Sequence, residues 1–172
     1  MPSETRKDLI KKLEYYSDFL GFKKTKEKKF HKTRKILDVG IAGDKERPSD
    51  RYKYFGRGND FKTLDIDPRW HPDYVGDITG TEFPDEIWDL VIVCQTLEHI
   101  WDSHKVFNEA FRILKKEGYL IIDSPWEYPY HDPPDYRRYS TEALIRYCGE
   151  AGFNIIDKEQ TSNLSIVLCQ KP

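Results

Sequence analysis

The sequence predicts an α/β domain built on a mostly parallel sheet, with helices on both faces and an antiparallel final strand. Short apolar runs alternate with amphipathic stretches, the pattern of a helix-covered parallel sheet. One run, WDLVIVC at 88–94, is almost continuously apolar, as expected of a central strand buried on both faces. The last two runs, 153–157 and 164–169, follow one another across a short polar turn holding Ser162 and Asn163. A connection that short requires antiparallel pairing.

The elements follow in order. Leu9, Leu13, Tyr16 and Leu20 recur at helical spacing, so residues 4–20 read as an amphipathic helix that stops at Gly21. The lysine-dense segment 23–35 reads as a solvated connector, with a phosphate-contacting patch as the alternative. Residues 1–33 thus form an N-terminal helix and basic connector, and 34–172 the main domain. A first strand at 35–39 runs into a turn containing Gly40, Ala42 and Gly43. Pro48, Gly56 and Gly58 leave room for only a short helix at 49–55. Strands follow at 61–66, 74–75 and 88–94, then a helix from Ser103 to Lys116 that ends at Gly118. A strand at 119–123, an aromatic loop at 124–140 and a helix at 141–151, capped by Ser140 or Thr141, lead to the terminal pair.

Composition narrows the function. Twenty-eight basic residues against thirty acidic ones give net charge −2, so no global field favours nucleic acid or membrane. Neither a long apolar run nor a signal-peptide core is present, and a cytoplasmic location is expected. Cys94, Cys148 and Cys169 are odd in number and lack paired spacing, so they read as reduced and mostly buried.

Acids close successive strands: Asp38, then Asp65 with Asp67, then Asp77, then the run Gln95-Thr96-Leu97-Glu98-His99. Parallel strands bring these ends to one edge, where open α/β sheets bind ligands. A dinucleotide needs a glycine-rich turn and a helix N-terminus for its pyrophosphate, whereas this turn is GIAGDK, and its acids repel phosphate. A phosphate-free nucleoside with a cationic centre suits the edge better. Asp65 can accept both ribose hydroxyls and Asp77 an exocyclic amine.

The segments KILDVGIAGD, TLDIDP, VGDITG, FPDEIWDLVIVCQTLEHI, FNEAFRILKKEGYLIIDSP and GEAGFNII stand in one order over about residues 34–158. In these the chain resembles the class I S-adenosylmethionine-dependent methyltransferases of the type 11 domain group. The resemblance implies a Rossmann-like seven-stranded sheet and S-adenosylmethionine as cofactor. It also implies that Asp38, Gly40 and Ala42 floor the methionine part, Asp65 and Ile66 meet the ribose, Asp77 and Ile78 frame the adenine, and Cys94 and Gln95 line the methionine side. Asp67 reads as a turn residue. The chain departs from the family at Asp44, where a third glycine is usual, and in the segment RPSDRYKYFGRG, which replaces a helix.

Methyl transfer from a sulfonium rests mainly on alignment. A general base serves only a protonated acceptor, and His99 and His131 are the candidates; for His99 a structural hydrogen bond that fixes its turn is the alternative. The acceptor wall is expected from the loop after the fifth strand, through Trp126, Tyr128, Tyr130, His131, Tyr136, Arg137 and Arg138, a set suited to a sugar-like, aromatic or anionic small molecule. The string DPPD at 132–135 is not the signature of amino-methylating nucleic-acid enzymes, because it does not follow the fourth strand. No metal site is expected, since His99 and His104 are five apart and miss one helical face. The competing functions are a non-catalytic binding module on the same fold and a nucleic-acid methyltransferase guided by the basic segment.

Overall fold

The computed structural model describes residues 3–22, 33–41 and 51–172. Seven strands form one sheet: β1 (Lys35–Val39), β2 (Asp60–Asp65), β3 (Tyr74–Val75), β4 (Trp88–Val93), β5 (Leu114–Pro125), β6 (Asn154–Gln160) and β7 (Leu164–Gln170). Their order is β3-β2-β1-β4-β5-β7-β6. Strands β1 to β5 pair in parallel, and β7 runs antiparallel to both β5 and β6. The strand order therefore reverses between β1 and β4, and the carboxyl ends of β1, β2, β4 and β5 share one edge. That is the position at which doubly wound sheets bind ligands.

Side-chain alternation along the strands builds two apolar layers. On one face Leu37, Val39, Val91, Val93, Leu120 and Ile122 pack against α3 (Ser103–Ile113) and α4 (Thr141–Ala151). On the other, Ile36, Leu90, Ile92 and Ile121 meet α1 (Ser3–Phe19) and the single turn α2 (Tyr52–Phe55). Leu9, Leu13 and Tyr16 carry the α1 contact, so this helix is one of the covering layers of the sheet. Lys12 holds it to β6 through Asp157 and Glu159, both at 2.8 Å. Residues 23–32, which include most of the basic connector, lie outside the described residues, as do Ala42, Gly43 and Asp44.

Helix α4 spans the expected residues, with the Ser140 hydroxyl accepting from the Ala143 amide and Gly152 closing it at φ 101°. Helix α3 ends earlier than expected. It stops at Ile113, because Leu114 already pairs with Trp88 as the first residue of β5. Pairing with β4 overrides the helical stripe that sequence spacing extends to Lys116. No helix among the described residues is long and apolar enough to cross a membrane.

Candidate active site

The turn after β1 is fixed by sterics. Gly40 takes φ +72°, and a Cβ there would meet Thr96 Oγ1 at 2.0 Å. Its amide donates to the Leu64 carbonyl at 2.9 Å, which clamps the turn to β2. Thr96 in turn donates to the Cys94 carbonyl at 3.0 Å. The β1 and β4 ends are thus locked together where backbone lines the cleft.

Asp38 is fully buried at the end of β1. Its Oδ1 accepts from Arg51 Nε at 2.5 Å, and Arg51 Nη2 donates to the Gly40 carbonyl at 2.9 Å. Arg51 comes from the irregular segment before α2 and shows that this corner holds a cation. Asp65, 7% exposed, accepts the Ile41 amide on Oδ2 at 2.8 Å and the Asp67 amide on Oδ1 at 2.9 Å. Each carboxylate oxygen keeps a second lone pair, so the acid retains capacity for two hydroxyls. Ile66 beside it is 68% exposed. Asp67 caps the turn at Pro68–Trp70 by accepting from the Arg69 amide. Asp77 is exposed and accepts the Thr79 amide at 2.8 Å, whereas Ile78 is buried in the core layer under α3.

At the end of β4, Cys94 has no exposed surface, and burial pushes its thiol up. Gln95 takes φ +53°, a strained conformation that points to a constrained site. Its amide and its side chain both donate to Asp123 Oδ1, at 3.1 and 2.5 Å. Asp123 ends the apolar part of β5 fully buried, and burial raises its carboxyl.

Two residues beyond Gln95, the Leu97–His99 turn meets the aromatic loop. The Tyr136 amide donates to the Glu98 carbonyl at 2.8 Å, and His99 Nδ1 lies 2.6 Å from the Pro134 carbonyl oxygen. The His99 and His131 rings meet edge to face, 5.1 Å between centroids. Glu98 is fully buried between them; burial pushes its carboxyl up to about 8. From the sequence no metal site is expected, because His99 and His104 are five apart and miss one helical face. In the fold His104 packs on Tyr147 instead, and His99, His131 and Glu98 cluster, with one ligand atom from each within 4.8 Å of the others.

The loop residues divide by partner. Arg138 donates to Asp135, to the carbonyls of Tyr128, Pro129 and Arg137, and so spends its donors on the loop itself. The Arg138 hydrogen bonds hold the Asp135 carboxyl well below its ordinary range. Arg137 sits over the Trp101 ring at 4.6 Å and donates to its carbonyl at 2.7 Å. Tyr136 packs edge-on against Trp101, and Tyr130 is 70% exposed. Tyr128 contacts the His131 ring at 4.6 Å, and the Trp126 amide is tied to the Asn163 carbonyl. Arg51, Trp101, Asp123 and Asp135 were not singled out from sequence. Asp123 carried a usable signal, an acid closing an apolar strand, while Arg51 stands in a segment with no periodicity.

A family profile described as a methyltransferase domain matches residues 53–122, from α2 through the core of β5. Over that segment the chain is similar to methyltransferase domains. A probable S-adenosylmethionine-dependent methyltransferase of Mycolicibacterium smegmatis is 32% identical over 50 residues, which are 29% of this chain and 20% of that protein. The match therefore spans about a fifth of the relative's length. A methyltransferase structure from Methanosarcina mazei superposes with TM-score 0.66 at 15% identity, covering 83% of this chain and 94% of that one. The [4+2]-cyclase SpnF superposes with TM-score 0.68 at 15% identity, covering 92% of this chain and 81% of that one. At such identities the likeness shows a shared fold.

Proposed function

We propose that the chain transfers a methyl group from S-adenosylmethionine to a small-molecule acceptor bound under the 126–139 loop. The observation that carries this reading is the acidic rim: Asp38 and Asp65 stand at adjacent strand ends beside a backbone turn too crowded for a side chain at Gly40. Such an edge rejects phosphate and receives a cationic nucleoside. Asp65 holds the ribose hydroxyls beside the exposed Ile66, Asp77 and Ile78 border the base, and the Asp38–Gly40 corner together with Gln95 takes the methionine end. Ala42, which the resemblance adds to that floor, lies outside the described residues.

The bound cofactor supplies an activated methyl group on a sulfonium. The protein's contribution is alignment, for which orientation supplies on the order of 7–11 kcal/mol. Aromatic edges of Tyr128, Tyr130, Tyr136 and Trp126, with Arg137, form the acceptor wall and exclude water. The Glu98–His99–His131 cluster relieves an arriving hydroxyl or amine of its proton. A nucleic-acid acceptor is disfavoured by the net charge of −2.

A second reading, a non-catalytic module on the same fold, is favoured by Arg51, which already occupies the Asp38 carboxylate. Incubation with S-adenosylmethionine and panels of sugars, phenols and carboxylates separates the two. Release of S-adenosylhomocysteine that depends on one panel supports transfer. Cofactor binding without release in any panel supports the module.

A further inference from the structure

We propose that Glu98, His99 and His131 bind one divalent transition-metal cation, with an acceptor oxygen as an additional ligand. The second part rests on the methyl-transfer reading; the first does not.

The surroundings of the Glu98 carboxyl point to a cation. Glu98 Oε1 stands 3.7 Å from His99 Nε2 and 3.9 Å from His131 Nε2. These separations exceed hydrogen-bond range, and both Glu98 oxygens, fully buried, lack a hydrogen-bond partner among the described residues. A buried carboxyl with no donor is costly, and a cation between it and the two rings removes that cost.

The outer contacts back both rings. The Pro134 carbonyl can only accept, so His99 carries its proton on Nδ1 and presents a lone pair on Nε2. His131 Nδ1 lies 3.1 Å from Asp135 Oδ2, at an angle short of a hydrogen bond, and the same oxygen accepts the His131 amide at 3.0 Å. Arg138 holds the Asp135 carboxylate in place behind the His131 ring, on the Nδ1 side, while Nε2 faces Glu98. A ligand histidine backed by a carbonyl or carboxylate is the usual outer arrangement of a metal centre.

The dimensions fit. Tetrahedral ligands bonded at about 2.0–2.1 Å lie about 3.4 Å from one another; the two Glu98 pairs, at 3.7 and 3.9 Å, come within a few tenths of an ångström of that, and the two histidines lie within 4.8 Å of one another. Two imidazoles and one carboxylate suit zinc, iron, cobalt or nickel better than magnesium or calcium. The side chains of His99 and His131 are 27% and 21% exposed, which gives an entry path and leaves coordination positions toward the acceptor loop. A hydroxyl bound there is acidified by the cation. With both ring nitrogens engaged by the cation, the cluster relieves the acceptor of its proton through that acidification: the O–H bond breaks with the proton passing to solvent at the exposed ring edges, the new C–O bond forms, and the C–S bond breaks with its electron pair kept by sulfur.

The test is calorimetric titration of the chelator-treated, full chain with zinc chloride and, separately, cobalt chloride, each without nucleoside. One equivalent is expected, weakened by roughly tenfold or more in both His131→Ala and Glu98→Gln. Cobalt is expected to give visible absorption bands without a thiolate charge-transfer band. S-adenosylhomocysteine is titrated in parallel to certify folding and to test the functional reading separately. Failure of the wild type to bind either metal while it binds the nucleoside overturns the metal site and leaves the functional reading intact. Equal metal affinity in wild type and both variants also overturns it. Metal binding without nucleoside binding overturns the functional reading alone.

Discussion

Arg51 and Asp38 form a 2.5 Å ion pair at the end of β1, and the same guanidinium reaches the Gly40 carbonyl. In the proposed function this is the corner that receives the cofactor's charged end, so the arginine both stabilises the edge and competes with the ligand. Arg51→Gln is expected to destabilise the protein by on the order of 3 kcal/mol, because a buried carboxylate loses its charged partner. The stabilisation on adding S-adenosylmethionine is expected to exceed that of the wild type. Thermal melts with and without ligand read both effects; an equal or smaller ligand shift in the variant contradicts the competition.

Gly40→Ala tests the backbone requirement. The new side chain would be strained at φ +72° and would meet Thr96 Oγ1 at 2.0 Å. Removing that oxygen in Thr96→Ala leaves Thr96 Cβ only 2.9 Å away, so the double variant is not rescued. A loss of at least about 2 kcal/mol is expected in denaturant titration for both the single and the double variant.

Acid is expected to loosen the segment that follows Asp77. Burial raises the Glu109 carboxyl, but hydrogen bonds from Arg112 and Thr81 outweigh it and leave the group below its ordinary value of 4.5. Glu109 Oε1 accepts the Thr81 amide at 2.8 Å, and Arg112 reaches on to the Phe83 carbonyl at 2.8 Å. A depressed acid contributes stability above its unfolded value and loses it as pH falls through the folded one. Stability is therefore expected to fall as pH drops below 4.5, and Glu109→Gln to flatten part of that slope. Denaturant melts from pH 7 to pH 3 measure it; an unchanged slope in the variant removes Glu109 as a cause.

Much of the fold was legible because strand burial writes itself as apolar runs. Strand β4 and helix α4 needed little beyond composition and caps. The end of α3 was not legible, since Leu114 fits a helical stripe as well as a strand and only its pairing with Trp88 decides. At the site, Asp38 and Asp65 were visible as acids closing apolar runs. The Glu98–His99–His131 cluster was not, because 32 residues separate the histidines in the chain. Only the fold-back of the 126–139 loop onto the Leu97–His99 turn brings them together.

The central claim is that the acidic edge binds S-adenosylmethionine through Asp65. Calorimetric titration of that cofactor into wild type and Asp65→Ala tests it most directly. One-to-one binding is expected, weakened on the order of a hundredfold in the variant by the loss of two charge-assisted hydrogen bonds. A folded wild type that binds neither the cofactor nor its demethylated product, or a variant with unchanged affinity, would contradict the account.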